Sequence, residues 1–167
     1  MTLIAEARQE ISLNFPAGFA IREPEPVDAE RVGRLYFDSH VPGAAHASAA
    51  DAIREINLSF QGEFGVLWQA ASGLVEHQTR PVAVLLAVHR APWPDTPNCP
   101  FITDLFTDQS FRRQGLGRAL LLRCLAQVSM IERPRVALRV DSDNEAAVRL
   151  YDSLGFRPYP SQESTGA

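Results

Sequence analysis

The feature that most limits the fold is the order of element patterns in the second half of the chain. The apolar run Phe101 to Thr107 has the composition of a β-strand. After an arginine- and glycine-rich turn, a helical pattern extends from Leu116 to Val128, and a second strand pattern covers Val136 to Val140. A strand, a helix and a strand in this order require a crossover connection and two parallel neighbouring strands. The sequence therefore predicts an α/β (α+β) fold.

The turn between the first strand and the helix has the composition of an anion-binding site. It reads Arg112-Arg113-Gln114-Gly115-Leu116-Gly117, and we call it the glycine turn. Its two glycines lack Cβ atoms, so backbone N–H groups can converge on an anion in front of the positive end of a helix dipole. The turn follows the carboxyl end of a strand, where open α/β sheets bind ligands. We therefore predict that it binds a phosphate group.

Two common phosphate-binding motifs do not fit the glycine turn. A nucleoside-triphosphate P-loop needs a lysine after its last glycine, and this chain contains no lysine at all. A dinucleotide-binding motif needs a third glycine, and Leu120 occupies that position. The phosphate group therefore belongs to another class of ligand.

Weaker patterns predict the other elements. They are a strand at Phe19–Arg22, a helix from a capping Asp28 to Ser39, a helix after a capping Ser48, a hairpin of Leu74–Gln78 and Val82–His89, a last helix that begins at Asp143 or Asn144 and ends at Gly155, and a short closing strand at Phe156–Tyr159. The second strand of the hairpin is apolar on both faces, so we expect it to be central and buried.

Length, charge and cysteine content set broad limits on the function. A chain of 167 residues has the size of one domain. Its formal net charge of −4 offers no general attraction to nucleic acid or to acidic membranes. Two cysteines and no Cys/His ligand spacing predict neither a disulfide framework nor a metal site, and no apolar run reaches the length of a membrane span. We therefore expect a cytoplasmic protein of a single domain.

Three motifs together resemble those of the GNAT superfamily of acyl-CoA-dependent N-acyltransferases. The first is Arg-x-x-Gly-x-Gly in the glycine turn, and the second is the acidic residue Asp104 followed by a hydrophobic stretch. The third is Asn-x-x-Ala-x-x-x-Tyr from Asn144 to Tyr151, with the Gly-Phe pair that ends at Phe156. There are two departures: Thr107 stands where an aliphatic residue is commoner, and the chain ends soon after Phe156, so the family's final strand stays open.

The resemblance implies a fold and a division of the chain. It implies a mixed, mostly antiparallel central sheet whose one parallel pair, the family's fourth and fifth strands, splays around the cofactor, with about four helices on the two faces. The whole chain, 1–167, would be one N-acetyltransferase domain. Within it we expect an N-terminal extension (1–18), an acceptor-side half (19–100), an acyl-CoA-binding half (101–160) and a tail (161–167).

The resemblance also implies acetyl-CoA as the acyl donor and assigns residues to it. The pantetheine arm would pair with the strand at Leu105 to Thr107, and the pyrophosphate would take the amides of the glycine turn. Seven residues make two helical turns, which brings Tyr151 to within about 20° of Asn144 on one face of the last helix. The implied cofactor-binding residues are Leu105, Phe106, Thr107, Arg112, Arg113, Gln114, Gly115, Leu116, Gly117, Arg118, Asn144, Ala147 and Tyr151.

The implied reaction is a direct attack of an amine on the thioester. Tyr151 would act as the acid for the departing thiolate, and Asp104 would act as the base, directly or through water. Glu63 is the nearest competitor for the role of base, and a water chain is a third alternative. A backbone N–H near Phe106 would bind the oxyanion.

Other aromatic and polar residues carry weaker expectations. The four histidines show no ligand spacing, and Trp68 and Trp93 either wall an acceptor pocket or pack in the fold. The acceptor would be a small-molecule or protein amine, with no nucleic acid or membrane as partner, and a homodimer is compatible with the sequence. Two other readings stay open: a CoA-binding sensor or regulatory module without efficient transfer, and an interaction protein on the same fold.

Overall fold

A computed structural model describes residues 1–8, 14–41 and 44–160 as one seven-stranded sheet with helices on both faces. The predicted tail, 161–167, and part of the predicted N-terminal extension lie outside the described residues. The strands are β1 (Thr2–Glu6), β2 (Ala20–Arg22), β3 (Gly73–His77), β4 (Arg80–Val88), β5 (Phe101–Thr107), β6 (Arg135–Arg139) and β7 (Arg157–Pro158), and the helices are α1 (Ala29–Ser39), α2 (Ala49–Gln61), α3 (Leu116–Val128) and α4 (Glu145–Ser153).

The sheet has one parallel pair of strands, and that pair separates. The strand order is β2-β3-β4-β5-β6-β1-β7, and every neighbouring pair is antiparallel except β5 with β6. The parallel pairing covers only Phe101 with Ala137 and Ile102 with Leu138, so the rest of β5 extends beyond the ladder. The predicted mixed sheet with a splayed parallel pair is confirmed.

Helices cover both faces of β4, which explains its continuous apolar sequence. Val84 and Leu86 face α1 and α2, where they pack in a cluster with Ile56. Ala83 and Leu85 face the opposite side, where they join the main core with residues of α3. Side chains of successive strand residues point to opposite faces, so a strand between two helical layers must be apolar at every position. The predicted central burial of this strand is confirmed.

Helices α1 and α2 pack unusually close to each other because α1 contains Gly33. A Cβ atom at Gly33 would lie 2.4 Å from the Cα of Ile53, a distance that no real side chain tolerates. The missing side chain therefore lets the two helix backbones approach. This contact brings the side chains of α2 next to the C-terminal turn of α1.

Two of the predicted helix caps are present, and one is wrong. Ser48 accepts a hydrogen bond from the Asp51 N–H at 3.2 Å, and Asn144 accepts one from the Ala147 N–H at 3.2 Å. Asp28 lies at the start of α1, but its side chain does not cap the helix. Its carboxylate accepts instead from the guanidinium of Arg22, at 2.7 and 2.8 Å. The nearby guanidinium is a stronger partner than the helix amides, because both groups of that pair are charged.

The N-terminal segment is an integral part of the sheet, which differs from the predicted extension. β1 pairs with β6 on one side and with β7 on the other, and Leu3 and Ala5 are buried. β7 is present but has only two residues, Arg157 and Pro158. β6 therefore has β5 on one side and the N-terminal strand β1 on the other. Across the described ranges, no helix combines the length and the apolar character that crossing a bilayer requires.

Candidate active site

A cleft of about 550 Å³ lies where β5 leaves the ladder. The end of β5, the glycine turn with the first turn of α3, and α4 form its walls, and Ser39 and His40 contribute from the end of α1. All the predicted cofactor-binding residues except Gln114 line it: Leu105, Phe106, Thr107, Arg112, Arg113, Gly115, Leu116, Gly117, Arg118, Asn144, Ala147 and Tyr151. Residues far apart in sequence thus meet at one cavity.

The glycine turn presents backbone donors to this cleft. Gly115 is the N-cap of α3 with φ +80°, and a Cβ atom there would meet nothing within 4 Å. Arg113 also has a left-handed backbone, with φ +62°. In the described part of the chain, no amide N–H from Arg113 to Arg118 donates to another group. These free amides, in open space and at the positive end of a helix dipole, fit a diphosphate.

The arginines in and next to the glycine turn make different contacts. The Arg112 guanidinium donates to the Ser39 carbonyl oxygen, and its Nε donates to the Thr107 carbonyl oxygen at 3.3 Å. Arg118 donates to the Ser153 hydroxyl at 3.1 Å and so connects α3 to α4. Among the described residues, the Arg113 guanidinium has no ion-pair partner, so it can contact an anion at the rim. The side chains of Arg112 and Arg118 fix the walls of the cleft.

A bulge re-orients β5 where it enters the cleft. Leu86 of β4 pairs with Asp104, but the next residue, Ala87, pairs with Ile102, so Thr103 is an extra residue in β5. β-bulges bend a strand and increase its twist, and they often lie next to active sites. Beyond the bulge, the main chain of β5 borders the cleft without β6 beside it. That free edge can form hydrogen bonds to an extended ligand such as a pantetheine arm.

Tyr151 forms part of the cleft wall from α4. It is buried, and its ring centroid lies 5.7 Å from that of Phe156. Burial raises the pKa of the Tyr151 hydroxyl to about 12, because the phenolate would lose its hydration. The hydroxyl therefore keeps its proton at neutral pH. Asn144 borders the same cleft, but its side-chain oxygen already caps α4.

Asp104 lies on the opposite face of β5 from the Tyr151 side. It precedes Phe106 by two positions, and Phe106 packs in the cluster under α1 and α2, whereas Tyr151 belongs to the core on the α3 and α4 side. Asp104 is not among the described residues that line the cleft. Burial raises the pKa of its carboxyl to about 6, and the negative charge of Glu55 adds to this rise. The two predicted catalytic residues therefore lie on opposite faces of the sheet, and of the two only Tyr151 is among the described residues that line the cleft.

Sequence reasoning missed four residues next to Asp104 and Phe106. The ring of Tyr36 stacks on that of Phe106 at 4.6 Å, and His40 borders the cleft. Glu55 and His46 complete the group, with Glu55 Oε2 lying 3.4 Å from His46 Nε2. Tyr36 and His40 are four positions apart at the C-terminal end of α1, and this spacing could have indicated that they lie on one face. His46 lies in a connection with no pattern of its own.

The other candidates of the sequence analysis lie away from the cleft. Glu63 is exposed in the turn after α2 and does not line it. Trp68 stacks on His89 at 5.0 Å, and Trp93 packs against Phe101 at 5.8 Å. Neither tryptophan belongs to the described cleft wall, so packing is the role that the structure supports for both.

A sequence model of the acetyltransferase (GNAT) family matches residues 32–156. The chain belongs to the GNAT family. Its curated relatives include mycothiol acetyltransferase from Nocardiopsis dassonvillei, 55% identical over 49 residues, which are 29% of this chain and 15% of that protein. The [ribosomal protein bS18]-alanine N-acetyltransferase of Escherichia coli is 40% identical over 53 residues, 32% of this chain and 36% of that protein. The matched stretches thus span well under two thirds of these relatives.

Solved structures of other acetyltransferases share the fold of this GNAT chain. The ribosomal-protein-S18-alanine N-acetyltransferase from Escherichia coli has a TM-score of 0.60 at 23% identity, covering 85% of this chain and 79% of that one. An aminoglycoside N-acetyltransferase in complex with CoA has a TM-score of 0.62 at 14% identity, covering 90% and 94%. At these identities the likeness shows the fold alone.

Proposed function

We propose that this GNAT chain transfers an acetyl group from acetyl-CoA to an amine. The observation that carries the proposal is the cleft at the splayed strands, where the free amides of the glycine turn lie at one end and Tyr151 forms a wall. Asp104 lies on the other face of β5, in the part of the strand beyond its pairing with β6. We infer that the cleft provides a diphosphate site, a hydrogen-bonding strand edge and an acid, and that Asp104 provides the base from the other face of the same strand.

The residues of the cleft divide the binding of the donor between them. The amides of Arg113 to Arg118 would hold the pyrophosphate, and the edge of β5 from Leu105 to Thr107 would bind the pantetheine arm. Acetyl-CoA supplies the activated acetyl thioester when it is bound. The thioester would then lie in the gap beyond the bulge, with its oxygen near the backbone N–H of Phe106.

Asp104 would accept the proton of the incoming ammonium. With an Asp104 pKa of about 6, this transfer costs roughly 6 kcal/mol for an alkylammonium of pKa about 10.4. It costs only roughly 2.5 kcal/mol for an α-ammonium of pKa about 7.8. A base with a raised pKa reduces this cost for both kinds of acceptor, so burial of Asp104 serves the reaction. An α-amine is the easier acceptor.

Tyr151 would donate to the departing sulfur. A hydroxyl with a pKa of about 12 is a weak acid towards a thiolate in water, where thiols have pKa values of about 8.5. The burial that raises the pKa of Tyr151 also raises that of a thiol next to it, because both anions lose hydration there. The proton transfer is therefore less unfavourable than a comparison with a thiol in water suggests, and a hydrogen bond from Tyr151 stabilises the thiolate before the proton moves.

The acceptor is a small-molecule or protein amine, and the relatives offer examples of both kinds in their names. The competing function is a CoA-binding sensor without efficient transfer, which the presence of both Tyr151 and Asp104 disfavours. Titration of the protein with acetyl-CoA, followed by an assay of thiol release with α-amines and alkylamines, separates the two. Binding with amine-dependent thiol release supports the transferase. Binding without release for any amine supports the sensor, and no binding refutes both.

A further inference from the structure

A polar cluster lies on the α1 and α2 face of β5, directly beside the cleft. It consists of Tyr36, His46, Glu55 and Asp104, and we call it the carboxylate cluster. The ring of Tyr36 stacks on Phe106 with centroids 4.6 Å apart and planes 8° apart. Phe106 also lines the cleft. The cluster therefore adjoins the place where the acetyl group would be transferred.

The members of the cluster pack tightly. The rings of Tyr36 and His46 meet edge to face at 4.7 Å, and His46 Nε2 lies 3.4 Å from Glu55 Oε2. The close approach of α1 and α2 at Gly33 makes this packing possible. The negative charges of Asp104 and Glu55 both raise the pKa of the Tyr36 hydroxyl, as burial does. Both carboxylates thus act on the Tyr36 hydroxyl.

The cluster has more negative charge than its neighbours compensate. Within residues 1–8, 14–41 and 44–160, only His46 lies within ion-pair distance of Glu55, and it compensates that charge only when it is protonated; Asp104 has no ion-pair partner there. The chain has 16 arginines, yet in the part that the structure describes none of them pairs with these carboxylates. The Glu55 side chain is 39% exposed, whereas burial raises the pKa of the Asp104 carboxyl. A buried carboxylate is costly unless a cation or hydrogen-bond donors accompany it. A bound cation would remove that cost.

His46 adds an unpaired ring nitrogen to the two carboxylates, and that nitrogen is an acceptor in the tautomer that carries its proton on Nδ1. Its side chain is only 9% exposed, and among the described residues its Nε2 has no hydrogen-bond partner. The nitrogen faces Glu55, but the geometry forms no hydrogen bond. Buried polar side-chain atoms nearly always have a partner, so an orphaned one beside an uncompensated carboxylate marks a place for a ligand.

We propose that the carboxylate cluster is the ammonium-binding part of the acceptor site, in which Glu55, Asp104 and Nε2 of His46 each accept one N–H of a primary ammonium. A primary ammonium has three donors and one positive charge, which matches three acceptors with an excess of negative charge. A secondary ammonium has one donor fewer and would leave one acceptor unpaired. The inference rests on the proposed function, and it predicts a preference for primary amines.

The step that follows binding conserves protons and bonds. Asp104 accepts one proton of the ammonium, and the freed lone pair forms the C–N bond while the C–S bond breaks. The sulfur leaves with the proton of Tyr151, and a second proton of the nitrogen restores that hydroxyl. Asp104 returns its proton to solvent. Glu55 and His46 position the nitrogen and exchange no proton.

The test uses two probes, n-butylamine and N-methylbutylamine, with the complete chain. Transfer is measured as release of the CoA thiol, and binding is measured by titration of each probe into CoA-loaded protein. The variants are Glu55→Gln, which keeps the size of the side chain, and His46→Phe, which keeps a ring against Tyr36. The control is Glu30→Gln, since Glu30 is an exposed carboxylate of α1 paired with Arg34.

We expect Glu55→Gln to raise both the KM and the dissociation constant of n-butylamine about tenfold or more, because a charged hydrogen bond is lost. The KM for acetyl-CoA should not change. His46→Phe should reduce the preference for n-butylamine over N-methylbutylamine, an effect that a purely structural role would not produce. Glu30→Gln should leave all values unchanged.

Two outcomes separate the inference from the function on which it rests. If amines are acetylated and Glu55→Gln behaves like Glu30→Gln in both assays, the ammonium site is refuted and the transferase stands. If n-butylamine binds in a Glu55-dependent manner but no amine is ever acetylated, the ammonium site stands and the proposed transfer is refuted.

Discussion

Substitution of Gly117 by alanine should have opposite effects on the stability of the fold and on the affinity for CoA. Gly117 is the second residue of α3, and a Cβ atom there would lie 3.8 Å from Leu150 Cδ2, an ordinary contact distance. The fold therefore has room for alanine. Alanine is favoured over glycine in a helix by up to about 1 kcal/mol, and by less in the first turn. We expect Gly117→Ala to raise the melting temperature by about 1–4 °C.

The same methyl group should weaken binding of CoA. It would lie between α3 and α4 in the cleft, next to the amides that we assign to the pyrophosphate. Displacing the anion from one charge-assisted hydrogen bond costs about 1.5–3 kcal/mol, or roughly a 10- to 150-fold increase in the dissociation constant. Differential scanning calorimetry of the free protein and calorimetric titration with CoA measure the two effects separately.

A matched control is Gly62→Ala at the end of α2. Gly62 has φ +86°, so alanine there is strained by about 1 kcal/mol, and the position does not line the cleft. We expect it to lower the melting temperature and to leave CoA affinity unchanged. Unchanged affinity in Gly117→Ala would refute the assignment of the diphosphate to the glycine turn. A lower melting temperature of Gly117→Ala would refute the inference that the space between α3 and α4 accommodates a methyl group.

Three further predictions follow from single side chains. Tyr151→Phe should lower kcat about 100-fold or more while the dissociation constant of acetyl-CoA stays within about twofold, and an unchanged kcat would remove Tyr151 from the mechanism. Because the Asp104 pKa is about 6, kcat/KM should rise with pH through about 6, and this rise should vanish in Asp104→Asn; its persistence would assign the base elsewhere. Asp28→Asn should lower the free energy of unfolding by about 3 kcal/mol in urea at pH 7. The Arg22 guanidinium holds the pKa of Asp28 well below its usual range, so the wild type should lose that stability as pH falls below about 4, and equal acid sensitivity in Asp28→Asn would contradict this.

The sequence predicts the elements around the glycine turn well because their signals are local. The strand Phe101–Thr107 and the helix Leu116–Val128 match the structure at both ends. The strand and the helix each have a characteristic spacing of apolar residues, and the glycine turn is recognised by its two glycines. A motif whose residues lie within one turn or one helix needs no knowledge of the rest of the chain. The spacing of Asn144 and Tyr151 on α4 is another case of this kind.

What the sequence does not reveal depends on contacts between distant segments. From the sequence, Asp28 is predicted to cap α1. In the fold its carboxylate accepts from Arg22 instead, and only the folded geometry decides between the helix amides and this guanidinium. His46 has no periodic neighbours, and its position against Glu55 depends on the packing of α1 on α2. The opposite faces of Asp104 and Tyr151 likewise follow from strand register, which the sequence alone leaves open.

The placement of β1 between β6 and β7 ties the folding of the chain to its most distant contacts. Thr2 pairs with Arg139, so the sheet is complete only when a strand made early in synthesis joins one made late. Such long-range pairing slows folding, because loop closure costs entropy before the pairing gains anything. A fragment that lacks β1 would present an open edge at β6 and leave β7 without its neighbour. The two halves that the sequence suggests are therefore one cooperative unit, and a truncated cofactor half should aggregate rather than bind CoA.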